Sequence, residues 1–223
     1  MARSYWAGHT GAKELYYKAL DSVYEGTLKL SSATSIGDTA SVYVAEGATL
    51  DLGGYNETVG TIAGGGIITS TGGTLTLNSL TTINGSTTTP IKTEFSGNLS
   101  GAFALTKNGI DTLVLSGDNT AATAYSGITT ITNGVVKLSN ANALGTYGSA
   151  TTNHTIVNGT GTVLIDSNNY TIDEPFNISG SGVATDQGAI RNLGKVTTLS
   201  GPITLGASAR ITAAGYNTVE PLD

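Results

Sequence analysis

From Gly26 onward, apolar and polar residues alternate in short runs. Leu28 and Leu30 flank Lys29, Leu50 and Leu52 flank Asp51, and Leu75 and Leu77 flank Thr76. A period of two sends one set of side chains to an apolar side and the other to water, which is the pattern of a half-buried strand. The spacing predicts strands at 27–30, 41–44, 48–52, 58–62, 66–69, 74–77, 91–95, 103–106 and 112–115. The series continues at 127–132, 135–138, 155–157, 162–165, 170–172, 176–179, 189–193, 196–199, 203–205 and 210–212. Asn84-Gly85, Asn108-Gly109, Asn133-Gly134 and Asn158-Gly159 separate strands with residues that tolerate positive φ, as do Gly53-Gly54, Gly64-Gly65-Gly66 and Gly72-Gly73.

One segment occurs twice. Residues 25–37 return as 133–145, Gly26 answering to Gly134, Leu30 to Leu138 and Gly37 to Gly145. Downstream, Val44, Thr49, Leu50, Leu52, Asn56 and Thr58 answer to Val157, Thr162, Val163, Ile165, Asn169 and Thr171, so the second copy carries a short insertion near 146–153. Long-period self-similarity in strand-like segments points to stacked coils sharing one core. An antiparallel sandwich would use the same turns, but the repetition favours a solenoid. Each strand would then pair with its equivalent one coil away, and the two ends would expose unpaired strand edges.

Residues 12–24 depart from this pattern. Leu15, Ala19, Leu20 and Val23 fall on one face of a short helix, with Lys13, Glu14, Lys18 and Asp21 opposite. The expectation is an N-terminal cap over 1–25, or a segment attaching the chain to another protein, followed by a solenoid over 26–223. The stretch 213–223 reads as the start of a further unit, which suggests truncation or a partner at that end.

Composition narrows the functional classes. Only 12% of residues are charged, 31 are glycine, and none is cysteine. The regular apolar spacing separates the chain from Gly/Ser/Thr-rich disordered sequences. The net charge is −6 and no Lys/Arg cluster occurs, so nucleic acid is not an expected partner. Without cysteine there are no disulfides and no thiolate metal sites. Residues 1–10 contain no apolar core of a signal peptide, and no run approaches the ~18 apolar residues of a membrane helix. The chain is expected to be a piece of a longer secreted protein or to assemble without the general secretory route.

Candidate chemistry is sparse. Glycoside hydrolysis needs two carboxyls across a cleft. Asp173 and Glu174 are adjacent and would point to opposite faces of a strand, whereas Asp166 and Asp173 could meet across a turn. Arg191 and Lys195 stand apart from them, and solvated loop carboxylates are the expectation. His9 and His154 are remote from each other and fall short of a zinc ligand set. Gly64-Gly65-Gly66-Ile67 lacks the aspartate of a calcium-binding nonapeptide. No nucleophile elbow and no phosphate loop occur. No catalytic, metal or cofactor residue is therefore assigned. Tyr5, Trp6, Tyr16, Tyr17 and Tyr24 form the densest aromatic group and are expected to pack a cap on the first coil. Tyr43, Tyr55, Tyr125, Tyr147 and Tyr170 are expected to pack turns.

The run Gly109-Ile110-Asp111-Thr112-Leu113-Val114-Leu115-Ser116-Gly117-Asp118-Asn119-Thr120, followed by Tyr125-Ser126-Gly127-Ile128-Thr129-Thr130-Ile131 and Gly134-Val135-Val136-Lys137-Leu138, resembles the autotransporter-associated β-strand repeat. Ile110-Asp111 stands where that pattern has a glycine, and 121–124 lengthen the turn before Tyr125. Segments 44–62, 188–193 and 199–205 are similar to passenger regions of the same family, so the resemblance spans roughly 26–212. It implies a right-handed parallel β-helix from the passenger of a bacterial surface protein. It also implies a structural or adhesive stalk without catalysis, whose partners are a host surface or glycan, neighbouring passenger modules, or an end-to-end contact at the C-terminal end. The alternatives are a phage or virion fibre or decoration protein, and a β-helix polysaccharide lyase or hydrolase.

Overall fold

A computed structural model describes residues 20–79, 82–83, 86–87, 92–120, 124–145, 154–166, 169–183, 188–194 and 196–213. These residues form an all-β parallel solenoid of about seven turns. Each coil visits three faces. The first face stacks Leu20–Val23, Ser41–Val44, Thr61–Gly64, Lys92–Phe95 and Thr112–Leu115. It continues through the C-terminal halves of Thr129–Leu138 and Thr155–Ile165 to Ile190–Asn192 and Ile211–Ala213. The second face stacks Thr27–Lys29, Thr49–Asp51, Ile67–Ser70 and Asn98–Gly101, and further along pairs Tyr170–Ile172 with Thr197–Leu199. The third stacks Glu57–Val59, Thr74–Leu77 and Ala104–Lys107, then the N-terminal halves of the two long strands, then Phe176–Gly180 and Ile203–Ala209.

Register turns the sequence alternation into columns of side chains. On the second face Leu28, Leu50, Ile68 and Leu99 lie one above another, the last three fully buried. On the first, Phe95, Leu115, Leu138 and Ile165 do the same. Each such side chain contributes roughly 1.5–3 kcal/mol by leaving water. A one-residue slip would turn every column outward, so burial fixes the pairing. Coil length varies from 18 residues (Thr49 to Ile67) to 31 (Gly64 to Phe95). The longest coil carries a small antiparallel pair, Thr82–Ile83 with Ser86–Thr87, as an excursion from the stack.

Three expectations change. Within the stretch read as a helix over 12–24, Leu20–Val23 is a parallel strand paired with Ser41–Val44; residues 1–19 lie outside the described residues. Pairing along the whole stack outweighs a weak local helical pattern. Second, the runs 127–132 and 135–138 are one bent strand, Thr129–Leu138, and 155–157 and 162–165 are one strand, Thr155–Ile165. Gly134 and Gly159 adopt φ of 71° and 60° there, and the pairing shifts register between Ile131 and Asn133. A bulge at the corner lets the chain bend from the third face to the first while its ladder continues. Third, Asn98–Gly101 is a strand although its own pattern gave no alternation. The further unit expected at 213–223 lies, apart from Ala213, outside the described residues.

The internal repeat is not a repeat of whole coils. In the first copy, Thr27–Lys29 lies on the second face, and the next strands fall on the first, second and third faces. In the second copy, Val135–Leu138 lies on the first face, and the following strands fall on the third, first and second. Every strand of the second copy is moved back by one face. The repeated unit is thus strand, long loop and three strands, and the three faces accept it equivalently because all present an apolar inner column.

At one corner Gly66, Gly97 and Gly117 stack on successive coils. A Cβ on Gly97 would overlap the carbonyl oxygen of Gly66, and one on Gly117 would overlap that of Gly97. Here glycine is needed for close approach of backbones rather than for positive φ. Gly97→Ala is expected to destabilise the chain by about 3 kcal/mol through overpacking. Gly37→Ala, where a Cβ meets open space, is expected to change stability by less than about 0.5 kcal/mol. Urea unfolding of both variants measures the contrast.

Candidate functional site

The third face differs from the other two because polar groups stand inside it. One inner column runs Val59, Leu77, Lys107, Ile131, Val157 and Ile178, with a lysine amid aliphatic neighbours. The other runs Glu57, Leu75, Leu105, Thr129, Thr155 and Phe176. Glu57, Lys107, Thr129 and Thr155 are all buried.

Each buried polar group has a partner from the turns. Lys107 Nζ lies 2.6 Å from Asp111 Oδ1 and also donates to the Gly109 carbonyl. Burial lowers the lysine's pKa, and the Asp111 carboxylate opposes that shift. Asp111 belongs to the Ile110-Asp111 pair that departs from the repeat pattern, and its role here is to neutralise a buried cation. Glu57 accepts from the backbone amides of Ser35 and Ile36 at 3.2 and 3.3 Å, fixing the long loop that replaces a strand. Burial raises its pKa and these two amides oppose the rise.

The motif residues of the family resemblance serve packing between coils. Asn119 accepts from the Leu99 amide at 2.8 Å on one side and donates to the Ala143 carbonyl at 2.6 Å on the other, clamping three successive coils. Tyr125 is fully buried, its ring centroid 5.2 Å from that of Phe103. Its hydroxyl donates to the Ile128 carbonyl at 3.2 Å and lies 3.3 Å from Thr129 Oγ1. Burial pushes its pKa well above the ordinary value. A Cβ on Gly127 would overlap the carbonyl oxygen of Phe103, which explains the glycine two residues after the tyrosine.

The candidate acids engage different partners. Asp166 is ion-paired with Lys137 at 2.7 Å. Asp173 is exposed and accepts from Ser200 Oγ at 3.1 Å. Asp173 and Glu174 lie between the strands Tyr170–Ile172 and Phe176–Gly180 rather than on one, and Glu174 is turned inward, 3% exposed. Thr155 Oγ1 donates to its Oε1 at 2.8 Å, while its Oε2 has no hydrogen-bond partner. Burial raises Glu174 to about 7; the Thr155 hydroxyl opposes this and the Asp173 charge adds to it. A surface pocket of about 220 Å³ is lined by Asp173, Glu174, Thr120, Asn142, Leu144 and Gly145 among others. Among the described residues its lining has no basic or aromatic side chain to bind or polarise a sugar. Among the described residues no three His, Cys, Asp or Glu side chains gather to hold a metal.

Arg191 lies on the first face, and His154 is half-buried at the start of a third-face strand. Tyr24 is largely exposed with its ring 6.0 Å from Tyr43, Tyr55 is exposed, and Tyr170 donates to the Ser139 carbonyl at 2.8 Å. His9, Lys195, Tyr5, Trp6, Tyr16, Tyr17 and Tyr147 lie outside the described residues. Sequence reading missed the buried Lys107 and Glu57. The signal was phase: Lys107 continues Phe103 and Leu105 at steps of two, and Glu57 continues to Val59.

These features define a class: a parallel β-solenoid whose conspicuous side chains hold coils to one another. The chain is 30% identical over 213 residues, 92% of its length, to the adhesin BmaC autotransporter of Brucella suis biovar 1 (strain 1330). It spans 6% of the length of that adhesin. No family model and no solved structure matches it. Solenoid and relative agree, and both fit a segment of an autotransporter passenger. No helix among the described residues is long and apolar enough to cross a membrane.

Two outcomes test these buried groups. Asp111→Ala leaves Lys107 uncompensated and is expected to cost about 3–5 kcal/mol, whereas Lys107→Met combined with Asp111→Leu is expected to recover most of that loss. Urea titrations of both variants measure it. Glu174 has a folded pKa of about 7 against an ordinary 4.5, so its neutral form is the one the fold favours. Its stabilising contribution is complete below pH 4.5 and is lost as pH rises through about 7. At ~1.4 kcal/mol per pH unit the loss is about 3 kcal/mol. Glu174→Gln is expected to flatten this part of the stability profile between pH 4.5 and 8; an unchanged profile would assign the dependence to another group.

Proposed function

We propose that this chain is a structural and adhesive segment of a bacterial autotransporter passenger, displayed outside the cell. The observation that carries the reading is the match to an autotransporter adhesin along 92% of a chain that is solenoid throughout its described residues. The mechanism is mechanical. Backbone hydrogen bonds run along the axis from coil to coil, and one continuous core joins the coils. Loops and outer faces project from this stack at positions set by the coil register.

The segment acts without catalysis. That reading is supported by the relative being an adhesin and by the separate engagement of Asp166 with Lys137 and of Asp173 with Ser200. Residues 1–19 act as a cap or attachment segment to a neighbouring module, ahead of the first solenoid strand at Leu20–Val23. A host surface is the partner class that the adhesin relative suggests.

Placed between a signal peptide and an autotransporter barrel, the chain is expected to become accessible to external protease. It is also expected to raise adherence of the displaying bacteria to a panel of cultured mammalian cells. Beads coated with purified chain should adhere likewise. Failure of display and adherence together would sink the reading, as would glycan turnover that disappears in Asp173→Ala.

A further inference from the structure

The third face is also set apart on its outside. Thr58, Thr76, Thr106 and Thr130 occupy one outward column on four successive coils. The column continues through Ile156, Asn177 and Thr204. The four threonines are half-buried, flanked by inward residues, and among the described residues their hydroxyls have no partner. The neighbouring column is different: Asn108 donates to Asn78 at 3.2 Å and accepts from Thr132 and Asn133 at 2.8 and 3.0 Å.

This face carries no outward charge among its described strands. The charged residues on those strands are Glu57 and Lys107, and both point into the core. The other faces do present charge: Glu94, Lys137 and Arg191 on the first, and the Lys29–Asp51 pair on the second. Charge is thus segregated away from an unbonded row of hydroxyls.

We propose that the threonine column of the third face binds a neutral polysaccharide lying along the solenoid axis. An ionic partner would surrender hydration of its charge to a face with no counter-charge. An apolar protein face would bury the threonine hydroxyls unpaired, at a cost of about 1–3 kcal/mol each. A polyhydroxylated chain offers both donor and acceptor to every threonine, while the threonine methyl groups pack on its ring faces. Adjacent coils are ~4.8 Å apart, close to the length of one sugar unit in an extended chain, so successive sugars can meet successive coils. Each contact is weak, and repetition along the axis multiplies them. This inference rests on the adhesive reading above and names its ligand class.

Co-sedimentation of the purified chain with microcrystalline cellulose, chitin and insoluble amylose, alongside calcium alginate as an acidic polymer, is the test. Retention on at least one neutral polymer is expected, and it should persist at ~0.5 M salt, where exposed charges are screened. The triple variant T76V/T106V/T130V keeps the branched shape and removes the hydroxyls; it is expected to bind about tenfold more weakly or worse at unchanged melting temperature. Thr69→Val, on the second face, should bind as the parent does. If the triple variant does not fold, Thr106→Lys alone sets a charge in the column and should also weaken binding.

Retention on no neutral polymer, retention on alginate alone, or equal binding by the folded variants would overturn the proposal. So would a threonine effect confined to self-association in sedimentation velocity. Coated beads that adhere to cells while no neutral polymer is retained would leave the adhesive reading standing and remove this ligand. Polymer retention without cell adherence would do the reverse.

Discussion

The structure depends on the parallel backbone ladder between coils. Every face is built by pairing a strand with its equivalent 18 to 31 residues later, and nearly all described pairings are parallel. A ladder of this kind tolerates great variation in the connecting loops as long as register is kept. Register in turn is kept by apolar columns, because a slip of one residue would expose them all. The glycine corner at 66, 97 and 117 belongs to the same constraint: coils stack at strand spacing only where no Cβ separates their backbones.

Buried polar groups occupy positions where the ladder alone would not hold the chain. Asn119 bonds the backbones of the coils on either side of its own, and Glu57 bonds a loop that takes the place of a strand. Lys107 and Asp111 form a closed pair inside the third face. Such groups stabilise less than apolar packing would, but each is satisfied only in one arrangement, so they select that arrangement among alternatives. Glu174 is the exception, with one oxygen unpartnered, and it makes the stack sensitive to proton concentration near neutrality.

Function follows from what the stack leaves outside. The motif residues that could be mistaken for chemistry, Tyr125, Gly127, Thr129 and Asn119, are buried between coils. What remains for partners is loops and outer columns. These differ in kind from face to face: ionic on the first and second, neutral and hydroxylic on the third. The chain spans 6% of the length of its adhesin relative.

The alternation of Leu28, Leu50 and Leu75 with polar neighbours determined by itself that the chain is built of short half-buried strands, and the repeat linking Gly26 to Gly134 favoured stacking them as a solenoid. The alternation did so because period-two burial is written locally in the sequence. The pairing of Asp166 with Lys137 and of Asp173 with Ser200 was not legible, since each partner comes from a neighbouring coil. Three further matters were decided only by tertiary structure. Leu20–Val23 is a strand because Ser41–Val44 lies beside it. Asn133-Gly134 and Asn158-Gly159 bend strands rather than end them because the ladder on the neighbouring coils continues past them. The second copy of the repeat sits one face away from the first because loop lengths, rather than strand sequences, set how far around the coil each strand falls. Local pattern states which side of a strand is buried; only the stack states which strand it is buried against.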